Sequence, residues 1–234
     1  MMNIEIKDCK KHVNPTFGNT LLGAVPLVSE VYLMDNIELM KHYPDKYFDL
    51  ACIDPPYGIG HSLLSGEKRG SKFVRTERHV DWDILPTDEF WIELFRVSKN
   101  QIIWGGNYFL DHLPSTKGMI IWDKIQMFSG ADFEFAWTSF ETSAKAFRMS
   151  RVEAYGNTNK IHPTQKPIEL YDFCFNFAKL EAGAKVLDTH LGSGSSRISA
   201  NKAKLHFVGC EIDEEYFNKQ NKRYEEFVSQ MRLF

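Results

Sequence analysis

Apolar runs of strand length alternate with amphipathic segments of helix length through most of the chain, and this alternation constrains the fold more than any other feature. The runs are EVYLMD ending at Asp35, FDLACID at Asp54, QIIWGG near Gly105, GMIIWDK near Lys124, DFEFAWTS near Ser139, AKVLDTH at His190 and LHFVGCEID at Asp213. Helical patterning covers residues 36–43, 88–97, 166–180, 195–204 and 214–227. Thr87, followed by Asp88 and Glu89, supplies the cap and the N-terminal acids of the second helix. Strands separated by helices pair in parallel, because each crossover returns the chain to the same edge. The expected class is α/β, with a mostly parallel, doubly wound sheet and helices on both faces.

In such a sheet, ligands bind at the carboxyl ends of the strands. The residues that close the apolar runs therefore carry the functional information. FDLACID closes on Asp54, Pro55, Pro56 and Tyr57. Pro55 pushes Asp54 out of the helical region, and two successive prolines fix φ and lack N–H groups. The result is a rigid spur that presents acceptors, the Asp54 carboxylate and the Pro55 carbonyl. An exocyclic amino group has two N–H donors and needs two such acceptors, and Tyr57 adds a face on which a planar base can stack. Pro-Pro-Tyr-Gly is also good turn chemistry.

AKVLDTHLGSGSSRISA ends a strand on Asp188 and then places Gly192-Ser193-Gly194 at the opening of a helix that begins at Ser195. Glycines allow a tight turn and close approach to a ligand, and the helix start offers unpaired N–H groups, as in a nucleotide-type site. The third glycine of GxGxxG is missing and no Walker lysine follows, which weakens NAD and ATP as ligands. The next strand ends in Glu211 and Asp213, where an acid can accept from both hydroxyls of a ribose. Capping of the following helix is the other use for these acids.

A chain of 234 residues with 43% hydrophobic content can bury a full core, so residues 1–234 are expected to form a single domain. No apolar run approaches the roughly 18 residues of a membrane span, and the start lacks a signal-peptide block, so a cytoplasmic protein is expected. Cys9, Cys52, Cys174 and Cys210 form no CxxC pair, which suits reduced core thiols and predicts no metal site. The net charge of −3 decides nothing about a polyanionic partner, since local patches carry that attraction. Two polar stretches interrupt the alternation. Residues 61–81 hold Lys68, Arg69, Lys72, Arg75 and Arg78, and residues 141–160 hold Lys145, Arg148 and Arg151. Both are long enough to be functional loops, and both also read as solvated loops of mixed charge. WGGNYF reads as the turn beyond its strand, where Asn107 and Tyr108 either border a base pocket or serve local packing. The aromatic segment PIELYDFCFNFAKL reads as a buried helix. Apolar surface beyond one core's need would favour a homodimer.

DPPY, VLDTHLGSGSS and HPTQKP (residues 162–167) together resemble the S-adenosylmethionine-dependent DNA amino-methyltransferases of the permuted beta class, with the catalytic motif first and the glycine loop late. The resemblance covers about residues 31–224. It implies a Rossmann-like methyltransferase sheet with one antiparallel strand, S-adenosyl-L-methionine as cofactor and double-stranded DNA as partner. It implies Asp54, Pro55, Pro56 and Tyr57 as the catalytic motif. Around the cofactor it implies Asp35 near the adenine, Glu211 at the ribose, and Asp188, Gly192, Gly194 and Ser195 at the methionine moiety. His162, Thr164 and Lys166 complete that set, Lys166 as partner of the cofactor's carboxylate. The basic residues of 61–81 and 141–160 would meet phosphates. The family loop usually reads Asp-Pro-Phe, whereas Thr189 and His190 stand here, so His190 either contacts the ligand or lies behind it.

The activity implied is site-specific methylation of adenine N6 after base flipping, since an acid before Pro-Pro-Tyr leans toward adenine within that family. Cytosine N4 is the alternative. An RNA or protein-glutamine methyltransferase and a non-catalytic DNA-binding module are the more distant ones. The enzyme would act alone or as the modification half of a restriction pair.

Overall fold

The computed structural model describes residues 6, 9–16, 27–59, 83–125, 131–156 and 160–231. Nine strands among them form one sheet: β1 (Lys10–Thr16), β2 (Leu27–Leu33), β3 (Phe48–Ile53), β4 (Ser98–Trp104), β5 (Met119–Asp123), β6 (Phe133–Thr138), β7 (Lys145–Arg148), β8 (Lys185–Asp188) and β9 (His206–Glu211). Their order across the sheet is β1-β2-β9-β8-β3-β4-β6-β5-β7. Strands β2, β9, β8, β3 and β4 pair in parallel throughout. The expected reversed strand is β6, antiparallel to both β4 and β5. A second reversed strand, β1, adds to β2 at the far edge.

Period-two burial explains why the sheet is covered on both sides. In β3, Ala51 and Ile53 face one layer with Leu39, Phe90 and Leu94, whereas Leu50 and Cys52 face the other with Leu170, Cys174 and Ala200. The first layer is built by α1 (Asn36–Lys41) and α2 (Asp88–Val97), the second by α4 (Ile168–Phe177) and α5 (Ser195–Lys202). Helix α2 has the predicted bounds, and the Thr87 hydroxyl accepts from the Phe90 N–H. Helix α4 starts at Ile168 rather than 166, because Pro167 is extended, with ψ 152°, and cannot supply an N–H. Helix α6 (Glu214–Met231) runs four residues past the predicted end, and a short helix, α3 (Arg151–Tyr155), was not predicted.

The aromatic helix α4 is covered from within the chain. Tyr171 and Phe175 are buried, Phe173 packs on Phe147 of β7, and Phe177 packs edge-on to Phe140. Cys52, Cys174 and Cys210 are buried free thiols. Among the described residues, no helix is long and apolar enough to cross a membrane.

Strands β8 and β3 are neighbours, and the chain leaves them in opposite directions, to β9 on one side and to β4 on the other. In sheets of this kind such a switch point is where ligands bind, at the carboxyl ends of the two strands. Asp188 and Asp54 close these two strands, with Glu211 at the end of β9 and Asp35 just beyond β2. Because β6 runs the other way, its amino end lies on the same edge and brings Glu134 there.

Candidate active site

Asp54 follows the last residue of β3, and its side chain is 12% exposed. Both of its oxygens are engaged: Oδ1 accepts from the Tyr57 hydroxyl at 2.5 Å, and Oδ2 accepts from the Lys166 ammonium. Tyr57 is packed in place. Its ring stacks on Tyr108 at 4.8 Å and 14°, and meets Phe109 edge-on at 6.0 Å. Gly105, with φ +70°, permits this, since a Cβ there would fall 2.1 Å from the Tyr57 ring. The WGGNYF turn therefore supports the Pro-Pro-Tyr spur directly, through Gly105 and Tyr108.

The Lys166 side chain is 4% exposed and sits 5.5 Å over the Trp104 ring. Burial alone would discharge it, but Asp54 and Glu134 outweigh that and hold it firmly cationic. Glu134 lies 3.3 Å from Lys166 and 2.7 Å from Lys124. Burial pushes the Glu134 carboxyl up, yet the two lysines win and bring it down to about 2. The family resemblance assigns Lys166 to a carboxylate of the cofactor; within the protein itself it is paired with Asp54 and Glu134, the carboxylates that a buried ammonium requires. Glu134 had no sequence signal of its own, because in FEFAWT it reads as an ordinary alternating polar residue.

The glycine loop faces this site from the end of β8. Gly192 and Gly194 have φ of +50° and +71°, and Gly194 precedes α5 without any side-chain cap. Ser193 and Ser195 bond to each other at 3.2 Å, and Arg223 of α6 holds the loop from behind, reaching the Ser193 carbonyl at 2.8 Å and Ser195 Oγ at 3.0 Å. Glu211 accepts from the Gly192 N–H at 2.8 Å and from the Ile212 and Asp213 N–H groups at 3.0 Å. It thus braces the loop, and Asp213 takes over the capping of α6 through the Glu215 and Tyr216 N–H groups. Glu211 is pushed above the usual carboxylate range by burial, against those N–H bonds.

Asp188 accepts from the Ser196 hydroxyl and from the His190 N–H at 3.1 Å. Burial raises it to about 7, the two hydrogen bonds oppose the rise, and the charges of Asp54 and Glu211 add to it. His190 is fully desolvated and driven down to about 3, so its ring is neutral. The Asn36 amide N–H donates to Nε2 at 3.0 Å, which leaves Nδ1–H to donate to Thr189 Oγ1 at 2.9 Å. The ring meets Phe90 edge-on at 5.4 Å. The ring occupies the position that phenylalanine holds in the loop of the family the sequence resembles.

His162 packs on Tyr216 at 4.3 Å and lies against Gly192, where a Cβ would be 3.4 Å from Nδ1. Its Nδ1 accepts from the Thr164 N–H and hydroxyl. Asp35 is committed at Oδ1 to capping α1, accepting from the Ile37 N–H at 2.8 Å and the Glu38 N–H at 3.1 Å. All the predicted cofactor-side residues thus lie on one sheet edge, with Lys166 turned toward Asp54.

Of the basic residues expected at phosphates, Lys68, Arg69, Lys72, Arg75 and Arg78 lie outside the described residues. Lys145 and Arg148 are on the exposed edge strand β7, Arg148 at 3.2 Å from Asp123, and Arg151 opens α3. Tyr155 of α3 bonds to the Gln165 carbonyl and lies within electrostatic reach of Lys166, Glu134, Arg151 and Asp54, so α3 borders the site. Lys160 sits 3.7 Å over the Tyr155 ring. Burial first, then Arg151, Lys124 and Lys166, lower it to about 8.

A model of the N6/N4 methyltransferase family, described as DNA methylase, matches residues 86–222. The type II methyltransferase M2.MboI of Moraxella bovis is 20% identical over 244 residues, covering 85% of this chain and 88% of its own. The solved PvuII DNA methyltransferase, cytosine-N4-specific, superimposes with a TM-score of 0.60 at 15% identity, over 86% of this chain and 92% of that one. The putative DNA modification methylase TTHA0409 of Thermus thermophilus, solved with S-adenosyl-L-methionine, superimposes with a TM-score of 0.55 at 16% identity, over 85% and 93%. At these identities the structures share a fold with this chain.

Proposed function

The chain belongs to the N6/N4 family of DNA methylases, and from that premise we propose that it methylates the N6 amino group of adenine within specific sites of double-stranded DNA. It is a DNA methyltransferase, and its methyl donor is S-adenosyl-L-methionine. The residues present fit that donor. Asp188, which is buried, and Glu211, which is half-buried, are raised first by desolvation and further by neighbouring carboxylates, and a cationic group placed there relieves that repulsion. When bound, the donor supplies an electrophilic methyl on a sulfonium; everything else is asked of the chain's own residues.

The observation that carries the proposal is the Asp54-Pro55 spur on the strand next to the glycine loop. An aromatic amine is a weak nucleophile because its lone pair is delocalised. Asp54 and the Pro55 carbonyl accept its two N–H groups, which favours positive charge developing on nitrogen as it attacks in line. Tyr57 holds the Asp54 carboxylate in one orientation, and the exposed Tyr108 ring stacked on it offers the base an aromatic face. Alignment of nitrogen with methyl supplies much of the remaining acceleration. A paired base cannot reach this spur, so the target nucleotide leaves the stack. Lys145, Arg148 and Arg151, together with the basic residues of 61–81, are assigned to the DNA backbone, and Lys160 joins them by its position beside Tyr155.

The acid preceding Pro-Pro-Tyr favours adenine. Mass spectrometry of nucleosides from DNA incubated with enzyme and donor tests this: N6-methyladenine is expected, and N4-methylcytosine alone would replace the adenine assignment with the cytosine one.

A further inference from the structure

We propose that Glu134 is a positioning residue that provides an alternative seat for the Lys166 ammonium and so releases Asp54 to accept the target amino group. This inference rests on the reading of Asp54 as the acceptor for that group.

Both oxygens of Asp54 already have donors, Tyr57 on Oδ1 and Lys166 on Oδ2. An incoming amino group competes with one of them. Tyr57 is wedged between Gly105 and Tyr108 and has little room to turn. Lys166 is the donor that can move, since its side chain ends in a flexible chain of single bonds. It cannot move into water, because it is 4% exposed and roofed by Trp104. A buried ammonium without a carboxylate is strongly disfavoured. Glu134 answers that need: its Oε2 is 3.3 Å from Lys166, on the side away from Oε1, which Lys124 holds at 2.7 Å. Glu134 reaches this place only because β6 runs against its neighbours. The displacement of Lys166 is small, from a contact shared by two carboxylates to one made with Glu134. No bond is made or broken in it, and the proton stays on the lysine throughout.

The assignment separates two kinetic quantities. Loss of the Glu134 charge leaves Lys166 committed to Asp54, which weakens productive engagement of the base and leaves donor binding untouched. The experiment compares wild type, Glu134→Gln and Glu134→Asp by methyl transfer into plasmid DNA and by calorimetry with S-adenosyl-L-methionine alone. The expected result for Glu134→Gln is a fall in kcat/KM for DNA of about tenfold to a hundredfold, the range for losing one charge-assisted contact. Its Kd for the donor should stay within about threefold, and Glu134→Asp, which keeps the charge, should recover part of the rate. Unchanged transfer in Glu134→Gln, or a loss that appears chiefly in donor affinity, would overturn the inference. If Glu134→Gln does not fold, Glu134→Ser, which likewise removes the charge, is read in its place: unchanged transfer, or a donor-affinity loss exceeding the rate loss, again overturns it. Absence of methyl transfer by wild type would instead remove the functional reading beneath it.

Discussion

Replacing Asp188 by asparagine should stabilise the protein in the absence of its methyl donor, and by an amount that depends on pH. Asp188 is 1% exposed, and its carboxyl is raised to about 7 from an ordinary value of 3.8. That rise corresponds to about 4 kcal/mol. The sign follows from linkage. Below about pH 4 the group is protonated in both states and contributes nothing. Between about 4 and 7 the unfolded chain releases the proton while the folded chain keeps it, so stability falls as pH rises, and above 7 the full deficit remains. Asparagine removes the deficit and weakens one hydrogen bond, at a cost of about 1 kcal/mol. A net gain of about 2–3 kcal/mol is expected at pH 8, or a rise in Tm on the order of 4–12 °C for a chain of this size. At pH 5 the gain should be close to zero. The assay is urea unfolding of both proteins at pH 5 and pH 8 without donor. His190, driven down to about 3, titrates alike in both and cancels in the difference. A variant less stable than wild type at pH 8, or an equal difference at both pH values, would refute the reasoning.

Other expectations concern the supports of the site. Gly105→Ala puts a Cβ into the Tyr57 ring at a φ of +70°; the displaced ring should lower methyl transfer about a hundredfold while calorimetry finds donor affinity unchanged. Glu211→Gln should weaken donor binding about ten- to a hundredfold by removing a charged acceptor, measured by the same titration. Arg197 is buried and bonds Ser29, Gln220, Asn221 and His12. Arg197→Ala strands those partners and opens a cavity, so urea unfolding should register a loss of about 3–5 kcal/mol.

What was legible in the sequence was what repeats or breaks a local rule. The seven strands and five helices announced by apolar runs and caps are present, and α2 has the predicted bounds because Thr87, Asp88 and Glu89 mark its start by local chemistry. Strand β7 was missed because KAFR is short and lies on an exposed edge, where burial imposes no pattern. Helix α3 did carry a signal, the capping box of Ser150 and Glu153, but five residues give no periodicity to support it. DPPY and the glycine loop broke local rules and so were visible as a site. Glu134 breaks none. Its role depends on β6 being inserted in reverse, a tertiary fact that places Glu134 beside Lys166. His190 was recognisable as a departure from the family loop, and its neutral, Phe90-packed state depends on partners 100 and 154 residues away in sequence.

The central claim is that Asp54 receives the target amino group. Modification-sensitive sequencing of DNA from cells expressing wild type and cells expressing Asp54→Ala tests it most directly, with calorimetry to confirm that the variant still binds S-adenosyl-L-methionine. Methylated adenines at a defined sequence are expected with wild type and none with Asp54→Ala. The same modification pattern from both proteins would contradict the account.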